Sequence, residues 1–253
     1  SYKKATGWTP ASITGCTFWM DFSDADTLFT DAGSTKVSSD GDAIYQANDK
    51  SGNASHVLQT NVSYRPLYKV SIQNSLSAGY FDGNDYLASS SAVQINNDSD
   101  GTWTVFAVAN PTDKLDARGV FTQDNSTAFR IAQFIRYDDA SGKAGSLAFN
   151  TDKDVFYVTS ADDQSASIKL LAATRASSLI QLYINSVSDN SLAITGVVQT
   201  HTEKIGIGLC NIGAPTNDLM LGHIFEVIAY NSVLSDANRQ SVETYLNNKW
   251  SIY

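Results

Sequence analysis

The sequence predicts an all-β protein, a sandwich of two packed antiparallel sheets with a short helix at the C-terminal end. Three observations predict it. Short runs rich in Val, Ile, Phe, Tyr and Thr recur along 253 residues between clusters of Gly, Asn, Asp and Ser, the pattern of strands joined by turns. Ser, Thr and Asn total 70 residues, and 23 of the 26 acidic residues are Asp; these side chains bond to nearby backbone and so favour turns and edges over helix interiors. Helical spacing is clear in one segment alone, and it comes last.

Candidate strands fall at 17–22 (TFWMDF), 78–82 (AGYFD), 102–110 (TWTVFAVAN), 118–123 (RGVFTQ) and 128–136 (AFRIAQFIR). More follow at 145–150, 154–160, 167–174, 179–185, 192–199, 204–210 and 221–230. So many strands require two sheets. In 102–110, Trp103, Val105 and Ala107 alternate with Phe106 and Val108, so both faces are apolar and the strand is central. In 179–185, Ile180, Leu182 and Ile184 alternate with Gln181 and Tyr183, giving one buried and one wetter face. Ser235 is a suitable N-cap, and Ala237, Val242, Leu246 and Trp250 keep near-helical spacing behind it, so the last segment is expected to pack on the sandwich as a lid. The prolines at 10, 66, 111 and 215 all fall between these elements.

Hydrophobic residues make up 42% and charged residues 17%, which excludes a disordered acidic tail or a coiled coil. A net charge of -9 opposes nucleic acid and anionic membranes, whose phosphates need clustered Lys and Arg. No run is long enough to span a membrane, and no repeat or linker marks a boundary, so one domain over 1–253 is expected. Cys16 and Cys210 lack any metal-binding spacing; free thiols and one long-range disulfide both remain open.

Three patches carry a family resemblance. The first is FWMDFSDADTLF at 18–29 with NDKSGNASHVLQ at 48–59. The second is RPLY at 65–68 with GYFDGNDYL at 79–87, and the third is GHIFEVIAYNSVLSDANRQSVETYLNNKW at 222–250. In order and spacing they resemble the laminin-G-like, concanavalin A-like lectin/glucanase superfamily, in its bacterial and phage-borne branch. The resemblance implies a jelly-roll sandwich whose end loops or concave face hold carbohydrate and sometimes calcium. It does not imply catalysis, since this fold hosts lectins, adhesion modules and hydrolases alike.

Retaining glycoside hydrolysis needs two carboxyls roughly 5 Å apart, which alternate positions on one strand supply. Glu203, Glu226 and Glu243 lie far apart, and the i±2 neighbours of Glu226 are Ile224 and Ile228; cross-strand or Asp-only pairs stay open. No G-x-S-x-G nucleophile elbow occurs. A Glu on an apolar strand invites a catalytic label, yet a buried carboxylate there also serves to anchor the terminal helix. Asp21 and Asp24 are placed to cap turns.

Calcium needs six to eight oxygen ligands. Asp82, Asn84 and Asp85 in FDGND form the favoured loop, ahead of the Asn96–Asp100 and Asp49–Asn53 loops, although Asx-turns account for the same residues. Sugar binding needs exposed rings flanked by hydroxyl-reading side chains. Trp8, Tyr64, Tyr68 and Tyr137 lie in or beside expected loops, whereas Trp19, Phe81, Trp103 and Trp250 sit in core patterns. The favoured carbohydrate surface combines Tyr137 and Asp138 with Arg118, Asp124, Asn125 and Arg130. The sequence thus points to a non-catalytic lectin-like adhesion module on a cell surface or virion, binding a glycan or polysaccharide. The alternatives are a virion structural subunit that contacts other subunits, and a polysaccharide-degrading enzyme.

Overall fold

The computed structural model describes residues 7–96, 101–113, 117–124, 130–137, 141–149, 155–165, 167–195, 203–212, 215 and 218–253. Its strands are β1 (Cys16–Asp21), β2 (Leu28–Phe29), β3 (Gln46–Ala47), β4 (Val57–Leu58), β5 (Leu67–Gln73) and β6 (Leu76–Asp82). Then come β7 (Leu87–Ser89), β8 (Trp103–Pro111), β9 (Arg118–Asp124), β10 (Arg130–Tyr137), β11 (Lys143–Phe149) and β12 (Val155–Asp163). The remainder are β13 (Lys169–Arg175), β14 (Leu179–Ile184), β15 (Val187–Ala193), β16 (Lys204–Ile207) and β17 (Leu221–Tyr230), followed by helix α1 (Asp236–Trp250).

Two antiparallel sheets result. One runs β15-β14-β13-β8-β17-β6-β5, and the other runs β12-β11-β10-β9-β16-β7-β4-β3-β2. In the first sheet β17 has β8 along one edge, while β6 and β1 share the other: β6 pairs with Leu221–Ile224 and β1 with Glu226–Tyr230.

The chain forms three layers because the first sheet is apolar on both faces. Val105, Ala107 and Ala109 of β8 face the second sheet, against Phe121, Ile135 and Ile207. Phe106 and Val108 of the same strand face α1 and meet Val242, Leu246 and Trp250. The reading of 102–110 as a central strand with two buried faces is therefore what is observed, and β14 shows the expected alternation of buried Ile180, Leu182 and Ile184. The helix begins at Ser235, whose side chain accepts from the Asn238 amide at 3.3 Å, as its cap position predicted. Ala237 is exposed, so the apolar stripe starts only at Val242.

Two hairpin turns brace the helix end. Asn74 and Ser75 link β5 to β6, and Asn185 and Ser186 link β14 to β15, all four with positive φ, the backbone of a type I′ turn. Asn74 Nδ2 donates to the Lys249 carbonyl at 2.8 Å and Gln73 Nε2 to the Trp250 carbonyl at 2.8 Å. Two of the carbonyls that a helix end leaves unsatisfied are thereby bonded. Strand β15 occupies Val187–Ala193 instead of the expected 192–199, because its turn carries Ser where the Gly of a hairpin signal is usual. Cys16 and Cys210 are not joined in a disulfide; Cys16 is half-buried and Cys210 buried.

Candidate functional site

The site starts from a β-bulge. The register of β17 against β8 shifts between Ile224, opposite Ala109, and Glu226, opposite Val108. Phe225 is the extra residue, and a bulge turns successive side chains to one face. Ile224 and Val227 accordingly point into the inter-sheet core, while Phe225 joins the helix-side cluster. Glu226 faces the helix beside it instead of sharing a face with Ile224, as unbroken alternation had suggested. There its carboxylate is wholly buried and takes four donors. Oε1 accepts from Trp19 Nε1 and Tyr245 OH, each at 2.8 Å. Oε2 accepts from Lys249 Nζ at 2.7 Å and Trp250 Nε1 at 2.9 Å. The arrangement clamps α1 to the sheet.

Asp21 is the residue directly opposite Glu226 on β1, a cross-strand acid pair bridged by Lys249. The Lys249 ammonium lies 2.7 Å from Asp21 Oδ1 and 2.7 Å from Glu226 Oε2. Lys50 adds a second cation, 2.9 Å from Asp21 Oδ2 and 2.5 Å from Asp24 Oδ2. Burial raises the Asp21 carboxyl, but the Lys249 and Lys50 ammonium groups outweigh it and hold the acid well below the carboxylate range. Glu226 has no exposed oxygen, so burial dominates and pushes it above its ordinary value, with Asp21 adding to the rise against Lys249. Burial lowers Lys249 itself, yet the two carboxylates raise it overall and it stays charged.

Lys50 is delivered by the DKSGN turn. Asp49 accepts from the amides of Trp19 at 2.9 Å, Ser51 at 2.9 Å and Ser55 at 3.0 Å, and Asn53 Nδ2 reaches the Cys16 carbonyl at 3.0 Å. The loop is laced to β1, and its lysine ends 4.6 Å over the Trp19 ring.

Above this network opens a cleft of about 270 Å³. Trp8, Trp19 and Tyr245 form its aromatic walls, with Ser23, Asp24 and Lys50 at the polar rim. Trp8 and Tyr245 are part-exposed and their rings lie 5.7 Å apart at 56°. Trp8 is held by the 3-10 turn Pro10–Ser12 behind it. Ser12 Oγ accepts from the Thr9 amide at 3.1 Å, and the Pro10 carbonyl accepts from Tyr230 OH at 3.0 Å. Part-exposed rings beside charged and hydroxyl groups suit an amphipathic ligand. Trp8 was legible as a loop aromatic; Lys50 and Tyr245 were not, because a charged residue in a turn and a tyrosine on a helix carry no sequence signal for a shared cleft.

The expected carbohydrate surface around Tyr137 takes a different form. Tyr137 is 1% exposed and its hydroxyl points at the Ala109 carbonyl 3.4 Å away, so its ring packs between the sheets instead of presenting a face to sugar. As the last residue of β10 it obeys strand alternation, which overrides its neighbourhood of loop residues. Tyr68 is likewise buried. Arg118 is 7% exposed, pairing with Asp113 at 2.6 Å and donating to the Leu219 carbonyl at 3.0 Å; it is a buried tie between β9 and the segment before β17. Asp124 and Arg130 end β9 and begin β10, opposite each other in register. Asn125 and Asp138 lie outside the described residues.

In the FDGND loop, Asp85 Oδ2 accepts from the Asp82 amide at 3.0 Å and Asp82 Oδ1 from the Asn84 amide at 2.9 Å, the Asx-turn reading. Asp85 is 3% exposed, and burial, reinforced by Asp82, raises it to about 7. The loop's own amides thus account for one carboxylate oxygen each of Asp82 and Asp85. Among the described residues no group of three His, Cys, Asp or Glu side chains is placed to hold a metal.

No protein-family model matches the sequence, and no curated protein matches it. Among solved structures, the chain is similar to the binding domain of Paraclostridial Mosquitocidal Protein 1, with a TM-score of 0.60 and 14% identity over 94% of this chain and 54% of that one. It is also similar to the receptor binding domain of botulinum neurotoxin D, with a TM-score of 0.57 and 11% identity over 94% of this chain and 54% of that one. This chain thus spans about half the length of each of these two structures. At such identities the likeness establishes the fold, a sandwich of two antiparallel sheets.

Proposed function

We propose that this chain is a non-catalytic, lectin-like binding module that takes carbohydrate in the Trp8–Tyr245 cleft, displayed outside a cell or on a virion. The observation that carries the reading is the cleft itself: part-exposed Trp8 and Tyr245 beside Ser23, Asp24 and Lys50. Aromatic rings stack on the apolar face of a sugar, while the polar rim reads hydroxyls. Support also comes from the fold, since the two similar structures are named as a binding domain and a receptor binding domain. Hydrolysis by the cross-strand pair Asp21 and Glu226 is disfavoured because Lys249 bridges the two acids. An acid saturated by four donors has no proton to deliver to a leaving group.

The test is binding of the purified chain to a broad panel of immobilised glycans and bacterial surface polysaccharides, with calcium and again with a chelator. Saturable binding that falls at least about tenfold, or 1.4 kcal/mol, in Trp8→Ala and persists with chelator is expected. No binding on a panel with working positive controls refutes the reading; a defined oligomer in the same preparation then favours the virion-subunit alternative.

A further inference from the structure

Trp8 belongs to two clefts. Beyond the one described, a second cavity of about 440 Å³ opens along the N-terminal turn and the start of α1, and Trp8 is one of its walls. Its polar lining is Ser12, Thr14, Ser232, Ser235 and Asn238, with Ile13, Val233 and Leu234 as the apolar part. Ser12, Thr14, Ser235 and Asn238 are exposed. This lining carries hydroxyls and an amide but no ionisable side chain. In the first cleft Asp21 and Asp24 are matched by Lys50 and Lys249, and Lys50 is engaged with both acids. Among the described residues neither cleft offers an uncompensated cation, on a chain of net charge -9.

Resting on the carbohydrate reading above, we infer that the ligand is an uncharged glycan of at least two sugar units, lying along both clefts with Trp8 between its subsites. The shared indole fixes the register of the two units, and the charge-free second cleft selects hydroxyl-rich rings over sugars bearing carboxylate, sulfate or phosphate. A carboxylate placed there would lose its hydration without gaining a cation, a desolvation that hydroxyl donors offset poorly.

The experiment measures the affinity of the full chain for neutral gluco-, manno-, galacto- and chito-oligosaccharides of one to six units, and for uronate and sulfated oligomers of matching length. Two variants are compared. Thr14→Ala with Asn238→Ala changes side chains that line the second cleft alone, and Asp24→Ala the first. Expected are at least tenfold tighter binding of neutral dimers than of their monomers, and loss of that length dependence in the Thr14/Asn238 variant with monomer binding retained. Asp24→Ala is expected to weaken monomer and dimer alike. Equal affinity for monomers and longer oligomers, preference for the acidic series, or unchanged length dependence in the Thr14/Asn238 variant overturns this inference while leaving the carbohydrate reading in place. Failure of every sugar to bind overturns both.

Discussion

Replacing Lys249 with Met removes the cation between Asp21 and Glu226 while keeping most of the side-chain volume. The wild-type ammonium makes contacts of 2.7 Å to each carboxylate, and hydrogen bonds to charged groups contribute about 1.5–3 kcal/mol each. The variant retains Trp19, Tyr245 and Trp250 on Glu226, and Lys50 and Ser23 on Asp21, so the remaining donors limit the damage. What is left is a cross-strand pair of buried acids sharing no counterion between them, a situation that costs about 3–5 kcal/mol. Lys249→Met is therefore expected to lose about 4 kcal/mol, a large part of the roughly 5–15 kcal/mol that holds a domain folded. Urea denaturation followed by far-UV circular dichroism measures it, with the m-value serving to confirm that the transition stays two-state. Because Glu226 already lies above its ordinary value, the variant relieves its repulsion by protonating that acid. The deficit should shrink between pH 7 and pH 5, and adding Glu226→Gln should recover at least about 1 kcal/mol. A loss under about 1 kcal/mol, or a deficit indifferent to both pH and Glu226→Gln, would refute the assignment of this triad as the clamp between helix and sheet.

Two further outcomes test the fold. Asp85 is raised from 3.8 to about 7, so its folded form holds a proton that the unfolded chain has already released, and stability falls as pH rises from about 4 to about 7. Asp85→Asn removes that dependence: melting temperatures should match wild type near pH 4 and exceed it at pH 8, where the ionised acid costs up to about 4 kcal/mol. Equal pH profiles would show that Asp85 is not buried as described. At Gly119 a Cβ would lie 2.1 Å from the Leu209 carbonyl carbon and 2.4 Å from the Cys210 amide nitrogen, both backbone atoms that cannot step aside. Gly119→Ala should lose more than about 3 kcal/mol, read by denaturation, whereas a near-neutral variant would mean that β9 does not approach the 209–210 segment so closely.

The architecture was legible wherever apolar residues are periodic. Strand β8, strand β14 and the capped helix all stand where alternation and a Ser N-cap put them, because burial on both faces, on one face or along a stripe leaves different spacings in the sequence. Strand β15 was missed for a physical reason: VSDNSLA is mostly exposed, so nothing selects apolar residues there, and its turn uses Asn-Ser in place of the stronger Asn-Gly signal. The quoted motifs turn out to be spatial neighbours. FWMDF supplies Trp19 and Asp21, DKSGN supplies Lys50, and the closing segment supplies Glu226, Tyr245, Lys249 and Trp250. The sequence could not show that a single extra residue at Phe225 turns Glu226 onto the helix side, since a bulge leaves composition untouched. Tyr137 misled for the opposite reason, its acidic neighbours suggesting a loop where the strand still ran.

The pairing of β1 with β17 sets Cys16 against Tyr230 and Asp21 against Glu226, partners separated by more than 200 residues of chain. The Trp19 and Tyr245 walls of the cleft and every member of the buried triad depend on that meeting. At about 5–20 residues per second of synthesis, β1 must wait roughly 10–40 s after its own appearance before a partner exists, its Phe18, Trp19 and Met20 uncovered meanwhile. A chain stopped before Leu221 therefore holds β1 to β16 but neither the Tyr245 wall nor the Glu226 clamp, and its first strand has no β17 to pair with.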